Sequence, residues 1–391
     1  MKPLNGLWTS PLIEHARSIQ HSFCYQPVKR KKMKKKWIVI PSLLVLIVIG
    51  IMVMPILQHF WEQSRPRPKV VVDGPMRAKA IDTLVAKLND HYIFPDKAKQ
   101  VAAVLRQRQQ EGKYDGITDG EQLTQQLTAD IQGVAPDRHM EVGFAPGLVL
   151  PDDNGAQPPE TREDWEQRTN FVMRQIMRHM AKRQVEEVNH LSPNIGYLKL
   201  AGFPPDFLVA EKFGAAMDEL ADTDGLIVDL RHNGGGAPES VALLVSYFVD
   251  QRTRLNDIWD RATGETKQYW TADKLDGKRY GCKKPVLILV GPGTMSAGED
   301  FAYTMQALKR ATVIGEPTWG GANPARPHRI GEHFYAVIPG RRTISAITHT
   351  NWEGTGVTPD IAAKPDNALA VATDLLQRRV RGGAPLVAVG R

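Results

Sequence analysis

Cysteine is nearly absent from this 391-residue chain: Cys24 and Cys282 are the only two. That excludes a disulfide scaffold and any thiolate-rich zinc site. The motifs of several other enzyme classes are missing too. No GxxxxGK[ST] is present, no GxGxxG can be formed around the one glycine-rich turn, and no HExxH occurs, which leaves phosphate-loop, dinucleotide and zincin chemistry without their residues. A basic face on the folded body is lacking as well. The net charge of +7 comes from residues 1–36, which hold nine Lys or Arg against the single acid Glu14, whereas the other 355 residues carry 41 basic and 42 acidic groups. A nucleic-acid partner is therefore not expected.

What is present starts with a long apolar run. Trp37 to Leu57 is 21 residues without a charge, and as a helix it spans roughly 30 Å, the thickness of a hydrocarbon core. Seven basic residues at 29–36 precede it, and Phe60 and Trp61 follow. The positive-inside rule puts the N-terminus in the cytoplasm and the body outside, on the extracytoplasmic or periplasmic side of a single-pass inner (cytoplasmic) membrane protein. The core is too long for a cleaved signal peptide, and MPILQHFWEQ offers no small-x-small site, so an uncleaved signal anchor is expected. This divides the chain into a basic cytoplasmic tail (1–36), a transmembrane anchor (37–57), a Pro-rich, charged linker (58–75), a helical bundle (76–135), a core (136–380) and a C-terminal tail (381–391).

Within the bundle, Ile81, Leu84, Val85 and Leu88 form an i, i+3, i+4, i+7 stripe, and Ala98, Val101, Ala102 and Leu105 form another. Leu123, Leu127 and Ile131 mark a third helix. Asp96 is a candidate cap for the second helix, and Thr118 or Asp119 for the third. The core then alternates between helices and strands. His139–Phe144 reads as a short alternating strand, 160–188 as a long polar helix, and 206–221, 237–250 and 297–309 as helices. Apolar strands are expected at Ile195–Leu200, Leu226–Leu230, Val286–Val290 and Phe334–Ile338. This is α/β layering.

Two strand-to-helix turns could carry chemistry. In GLIVDLRHNGGG, residues 225–236, three glycines follow a buried strand, and their backbone could approach a ligand closely. They make either a tight turn or a set of N–H donors for an oxyanion. In VLILVGPGTMSAGEDFAY, residues 286–303, Ser296 precedes a helix. It is either an N-cap or a nucleophile beside a positive helix end. The spacing Gly293-x-x-Ser296-x-Gly298 is one residue longer than the GxSxG elbow, so an α/β-hydrolase is not expected. A serine nucleophile needs a base. Lys309 lies at the far end of the same helix, about 20 Å away at 1.5 Å per residue. His139, His328, His333 and His349 remain as candidates.

Taken together, Asp229-Leu-Arg-x-Asn233-Gly-Gly-Gly236, Ser296-Ala-Gly-Glu299, Gly315-Glu-Pro-Thr-x-Gly-Gly321 and Gly356-Val-Thr-Pro-Asp360 resemble the tail-specific, or C-terminal processing, serine peptidases. The likeness is to the branch that includes interphotoreceptor retinoid-binding protein repeats and the tricorn core. It runs over roughly residues 76–375, with His91-Tyr-x-Phe-Pro95 and Asp137-x-His139 in its N-terminal part. The resemblance implies a crotonase/ClpP-like layered protease core with an N-terminal helical bundle. The dyad branch of the family carries a lysine in a Gly-Lys-Gly turn, where this chain has glycine in Thr318-Trp-Gly-Gly321-Ala. Only 89 residues separate His139 from Asp229, and they read mostly as one helix and one strand, which argues against the PDZ insert of that branch. The tricorn-like branch takes its base from Asp-x-His, which matches His139, and an orienting acid from the position that matches Glu353, with Asp137 as competitor.

The implied reaction is acyl transfer to Ser296 with His139 as general base. The backbone N–H of Ala297 and one from Gly235 or Gly236 would form the oxyanion hole, with no metal and no cofactor. The partner is a peptide or protein substrate, besides the membrane at residues 37–57. A non-catalytic binding protein for a hydrophobic ligand or peptide, on the same fold, is the alternative, and a crotonase-like acyl-CoA enzyme is a further rival.

Overall fold

The computed structural model describes residues 70–146, 163, 171–380 and 382. The basic tail, the apolar run 37–57, most of the linker and residues 383–391 lie outside the described residues, as does Cys24. Among the described residues no helix is long and apolar enough to cross a membrane.

Three helices come first among the described residues: α1 (Gly74–His91), α2 (Pro95–Gln110) and α3 (Gly120–Gln132). Asp73 caps α1 by accepting from the Met76 N–H at 2.8 Å, and Asp119 caps α3 by accepting from Gln122 N–H at 2.8 Å. Asp96 is not a cap. Pro95 takes the first helical position, so Phe94 is the N-cap and Asp96 falls in the first turn, where its charge meets the positive end of the helix dipole. The three apolar stripes turn inward, but they do not close on one another alone. Their core also takes in Val142 of β1 (Glu141–Phe144) and Phe334, Ala336 and Ile338 of a later strand.

The polar helix α4 (Phe171–Lys182) ends sooner than expected. Val185–Ser192 is strand β2, antiparallel to β3 (Ile195–Leu200). Hydropathy could not show this. Only Val185 of β2 is buried, and the segment is a strand because it pairs the otherwise open edge of the buried β3. The elements that follow are α5 (Asp206–Leu220), β4 (Gly225–Asp229), α6 (Pro238–Val245), β5 (Arg254–Asp260), β6 (Thr266–Trp270), β7 (Val286–Val290), α7 (Ala297–Ala307), β8 (Thr312–Gly315), β9 (Ala325–Arg329), β10 (Phe334–Pro339), β11 (Arg341–Ser345), β12 (Ile361–Ala362) and α8 (Pro365–Val380).

A six-stranded sheet of order β12-β8-β7-β4-β3-β2 forms the centre, parallel except for β2. Every residue of β4 and β7 is buried, as a sheet covered on both faces requires. Leu226, Val228, Ile288 and Val290 point into a core shared with Phe213 and Met217 of α5, Leu244 of α6 and Phe301 and Met305 of α7. Ile227, Leu287 and Leu289 point the other way, onto Ala368, Ala372 and Leu376 of α8. Two antiparallel three-stranded sheets, β1-β10-β9 and β11-β5-β6, flank this centre.

Candidate active site

β4 and β7 are parallel neighbours in register, with Asp229 opposite Leu289. Their carboxyl ends therefore lie side by side, and so do the two strand-to-helix turns that leave them. Thr294 Oγ1 donates to Leu230 O at 2.7 Å, and Met295 N–H donates to Asn233 O at 2.8 Å. Asn233 is fully buried. Its Nδ2 donates to Leu200 O at 3.0 Å and its Oδ1 accepts from Gly235 N–H at 2.9 Å.

Ser296 stands at the N-terminus of α7 with φ 50° and ψ −115°, a left-handed conformation that a residue with a Cβ adopts only when its surroundings force it. Gly235, at φ 92°, is pressed against it: a Cβ at 235 would lie 2.8 Å from Ser296 Cβ and 3.1 Å from Ala297 N. Gly236, at φ 141°, allows Phe203 O to approach a point only 1.9 Å from where its own Cβ would be. Gly235 gives its N–H to Asn233, whereas the N–H groups of Gly236 and Ala297 have no acceptor among the described residues. Ala297 is the first residue of α7, so its N–H belongs to the positive end of the helix dipole. Gly235 thus supplies room rather than a donor.

Glu299, one turn into α7, is fully buried and is the hub of the site. Its carboxylate accepts from Ser296 N–H (2.9 Å), Gly321 N–H (2.9 Å), Gly320 N–H (2.6 Å) and Thr318 Oγ1 (2.5 Å). Burial pushes its carboxyl above the usual range, and these donors pull it back. The serine turn and the Thr318–Gly321 turn are thereby fastened to one carboxylate. Trp352 Nε1 closes the arrangement by donating to Gly321 O at 2.9 Å.

His139 lies in the turn before β1, not in the strand. The alternation from 139 to 144 holds only from Met140 onward, because pairing with β10 begins at Glu141. The turn is held by other means. Gln132 Nε2 donates to Asp137 O and to Met140 O, both at 2.7 Å, and Asp137 Oδ1 accepts from His139 N–H at 3.2 Å. The imidazole packs edge-on to Trp319, with centroids 4.9 Å apart. A Cβ at Gly321 would lie 2.7 Å from His139 Cε1. The glycine that stands where the dyad branch has its lysine is therefore what leaves room for the histidine.

Two carboxylates sit beside the imidazole. One ligand-type atom each from Asp137, His139 and Glu353 lies within 4.8 Å of the others. Glu353 accepts from Ala322 N–H (2.6 Å), Asn323 N–H (3.0 Å) and Arg138 N–H (3.3 Å). Asp137 accepts from Asn323 Nδ2 at 3.1 Å, and burial together with the Asp137 charge pushes the Tyr92 hydroxyl up. Burial and the charge of Glu353 push the Asp137 carboxyl up to about 7. Burial lowers His139 to about 4, so its imidazole is neutral near pH 7. Nδ1 is buried and hydrogen-bonded to neither carboxylate. Two carboxylates are thus within reach of an imidazole nitrogen that bonds to neither of them.

The remaining basic candidates lie elsewhere. His328 stacks on His91 at 4.3 Å, His333 packs by Phe144, and His349 is exposed. Lys309 lies past the end of α7. Glu299 is legible as the fourth residue of S-x-x-E, the capping-box pattern, although that pattern alone does not tie it to the Thr318–Gly321 turn. Tyr92 sits in a quoted motif. Nothing in the sequence singled out Asn323.

Two family models match the chain: peptidase family S41 over residues 194–363, and the N-terminal domain of this family in eukaryotic interphotoreceptor retinoid-binding protein over residues 76–177. The chain belongs to peptidase family S41. It is 30% identical over 180 residues to a chloroplastic carboxyl-terminal-processing peptidase of Arabidopsis thaliana, covering 43% of this chain and 32% of that protein. It is 31% identical over 110 residues to the tricorn protease of Thermoplasma volcanium, covering 28% and 9%. The chain thus spans about two fifths or less of the length of the curated relatives it matches. Its fold resembles that of a candidate peptidase from Parabacteroides merdae, with a TM-score of 0.54 at 15% identity, covering 79% of this chain and 99% of that one.

Proposed function

We propose that this chain is a serine peptidase, anchored in the cytoplasmic membrane by residues 37–57 with its body on the extracytoplasmic side, that cleaves peptide bonds through an acyl-enzyme on Ser296. The observation that carries the reading is the forced backbone at Ser296, φ 50°, beside two N–H groups, of Gly236 and Ala297, that have no acceptor among the described residues. A residue held in a conformation costing about 1–3 kcal/mol marks a functional constraint.

In this mechanism Ser296 Oγ attacks the substrate carbonyl and His139 takes its proton. The carbonyl oxygen, now negative, is held by Gly236 and Ala297 N–H. His139 returns the proton to the leaving amine, and water hydrolyses the acyl-enzyme by the reverse sequence. Glu353 turns toward Nδ1 and fixes the tautomer. The lowered basicity of the buried His139 keeps it able to accept a proton at neutral pH.

A fluorophosphonate probe tests the chemistry: the full chain should be labelled at Ser296, and Ser296→Ala should lose both label and peptide hydrolysis. A chain that binds peptide but takes no label would instead be a binding protein. Protease treatment of spheroplasts tests the topology, since the body should be digested and the basic tail spared.

A further inference from the structure

The cluster beside the proposed nucleophile has a property that peptide hydrolysis does not call on. Asp137, His139 and Glu353 each bring a ligand-type atom within 4.8 Å of the other two. A cation at the centre of such a triangle would be no more than roughly 2.8 Å from each atom, so contractions of well under 1 Å reach the 2.0–2.2 Å of zinc bonds to imidazole and carboxylate.

Three further observations point to a cation. First, His139 Nδ1 is buried with no hydrogen-bond partner, a lone pair or N–H that the fold leaves unused. Second, Asn323 has a fully buried side chain whose Nδ2 is on Asp137, and its Oδ1 is likewise without a donor. Third, among the described residues neither Asp137 nor Glu353 is in a salt bridge, so no cation in contact with them neutralises the pair. A buried carboxylate and a half-buried one beside an imidazole nitrogen without a partner would be stabilised by a divalent ion. One nitrogen and two carboxylate oxygens suit a borderline transition metal better than magnesium or calcium, which take oxygen alone.

We propose that Asp137, His139 and Glu353 bind a single zinc-type transition metal ion, and that its binding holds His139 away from Ser296 and switches hydrolysis off. The switching half rests on the peptidase reading above; the binding half does not. Coordination and general-base action compete for the same ring and the same acid, so an ion held there immobilises the group that must accept the serine proton. Substrate hydrolysis would then depend on the free metal level around the extracytoplasmic body.

The test uses the full-length chain. Ser296→Ala removes the nucleophile and leaves the three ligands, so metal binding is measured apart from activity. Titration calorimetry with Zn²⁺, and the visible spectrum with Co²⁺, should show one ion per chain, removed by EDTA. The thermal midpoint should rise with Zn²⁺. Adding Asp137→Asn, His139→Ala or Glu353→Gln should weaken binding at least 10-fold, whereas His328→Ala, at the other histidine pair, should not. In the wild-type chain Zn²⁺ should inhibit hydrolysis with a midpoint equal to its dissociation constant. No binding to Ser296→Ala, binding that survives His139→Ala with Glu353→Gln, or an occupied site with full hydrolysis would each overturn the proposal. A chain that binds one ion through these residues yet hydrolyses nothing under any metal condition would support the site and end the peptidase reading.

Discussion

Gly321 and His139 occupy neighbouring space so tightly that a single methyl would bring them into collision: a Cβ at 321 stands 2.7 Å from the imidazole Cε1 and 2.4 Å from Trp319 Cζ3. Gly321 has no positive φ, so any effect of a side chain there is steric rather than conformational.

Gly321→Ala is therefore expected to displace His139 or Trp319. Overpacking of this size costs about 1–3 kcal/mol, and a base misplaced by about 1 Å lowers turnover on the order of 10²-fold. Urea midpoints and kcat on a peptide substrate check both. Wild-type turnover in this variant would show that the ring can leave its place without consequence.

His139→Ala should lower kcat/KM on the order of 10⁴-fold or more, as loss of the base from a serine triad does. His328→Ala, His333→Ala and His349→Ala should each retain most activity, because the ring contacts of the first two are with His91 and Phe144 and the third is exposed. If His328 or His333 proved indispensable and His139 did not, the base assignment would be wrong.

Glu299→Gln keeps the size of the side chain but turns one acceptor into a donor. Four donors converge on this carboxylate, so at least one backbone N–H would face an NH₂ group instead. A buried donor left without a partner costs about 1–3 kcal/mol. Denaturant unfolding should show that loss, together with reduced labelling of Ser296. Unchanged labelling would separate Glu299 from the serine turn.

Asp300 provides the pH prediction. It is buried on α7, accepts from Asn256 Nδ2 and from Thr304 Oγ1 at 3.1 Å, and burial pushes it up to about 7 against those hydrogen bonds. Its folded value thus lies above its unfolded one near 4, and the native state holds a proton that the unfolded chain has released. Stability from this group is greatest at and below pH 4 and declines as pH rises from 4 to 7, by up to a few kcal/mol. Asp300→Asn stays neutral throughout. It should flatten that decline and be more stable than wild type at pH 8, as read from urea midpoints at pH 5 and pH 8.

The architecture was legible where burial is written as pattern. Val286–Val290 and Ile195–Leu200 appear at the bounds expected from apolar runs, and the three N-terminal stripes all face inward. It was hidden where a segment's state depends on a neighbour. Val185–Ser192 is a strand only because β3 needs an edge, and α8 covers the second face of the sheet with little more than Ala368, Ala372 and Leu376 buried, a weak pattern in sequence. At the site, Ser296, Glu353 and the glycine turn stood in motifs with fixed order. Asn323 did not, because its role comes from a backbone N–H and an amide that reach Glu353 and Asp137 across 30 and 186 residues, a separation that no local pattern encodes. The turn at His139 is hidden for the opposite reason: the short alternation that leads into β1 extends by chance one residue too far.

The hydrophobic interior of α1, α2 and α3 is completed by Phe334, Ala336 and Ile338 from 200 residues downstream, and the last residue of α3, Gln132, carries the turn that bears His139. Loss of the helices would therefore silence the chain while its central sheet still stood. Partial opening at that end, by heat, denaturant or proteolytic nicking, displaces His139, the proposed base, and leaves Ser296 with its helix intact, so inactivation should run ahead of global melting. Deletion of the first 135 residues is expected to bare the apolar side of β10, where Phe334, Ala336 and Ile338 pack on the helices, and to leave the turn at His139 without its bonds from Gln132.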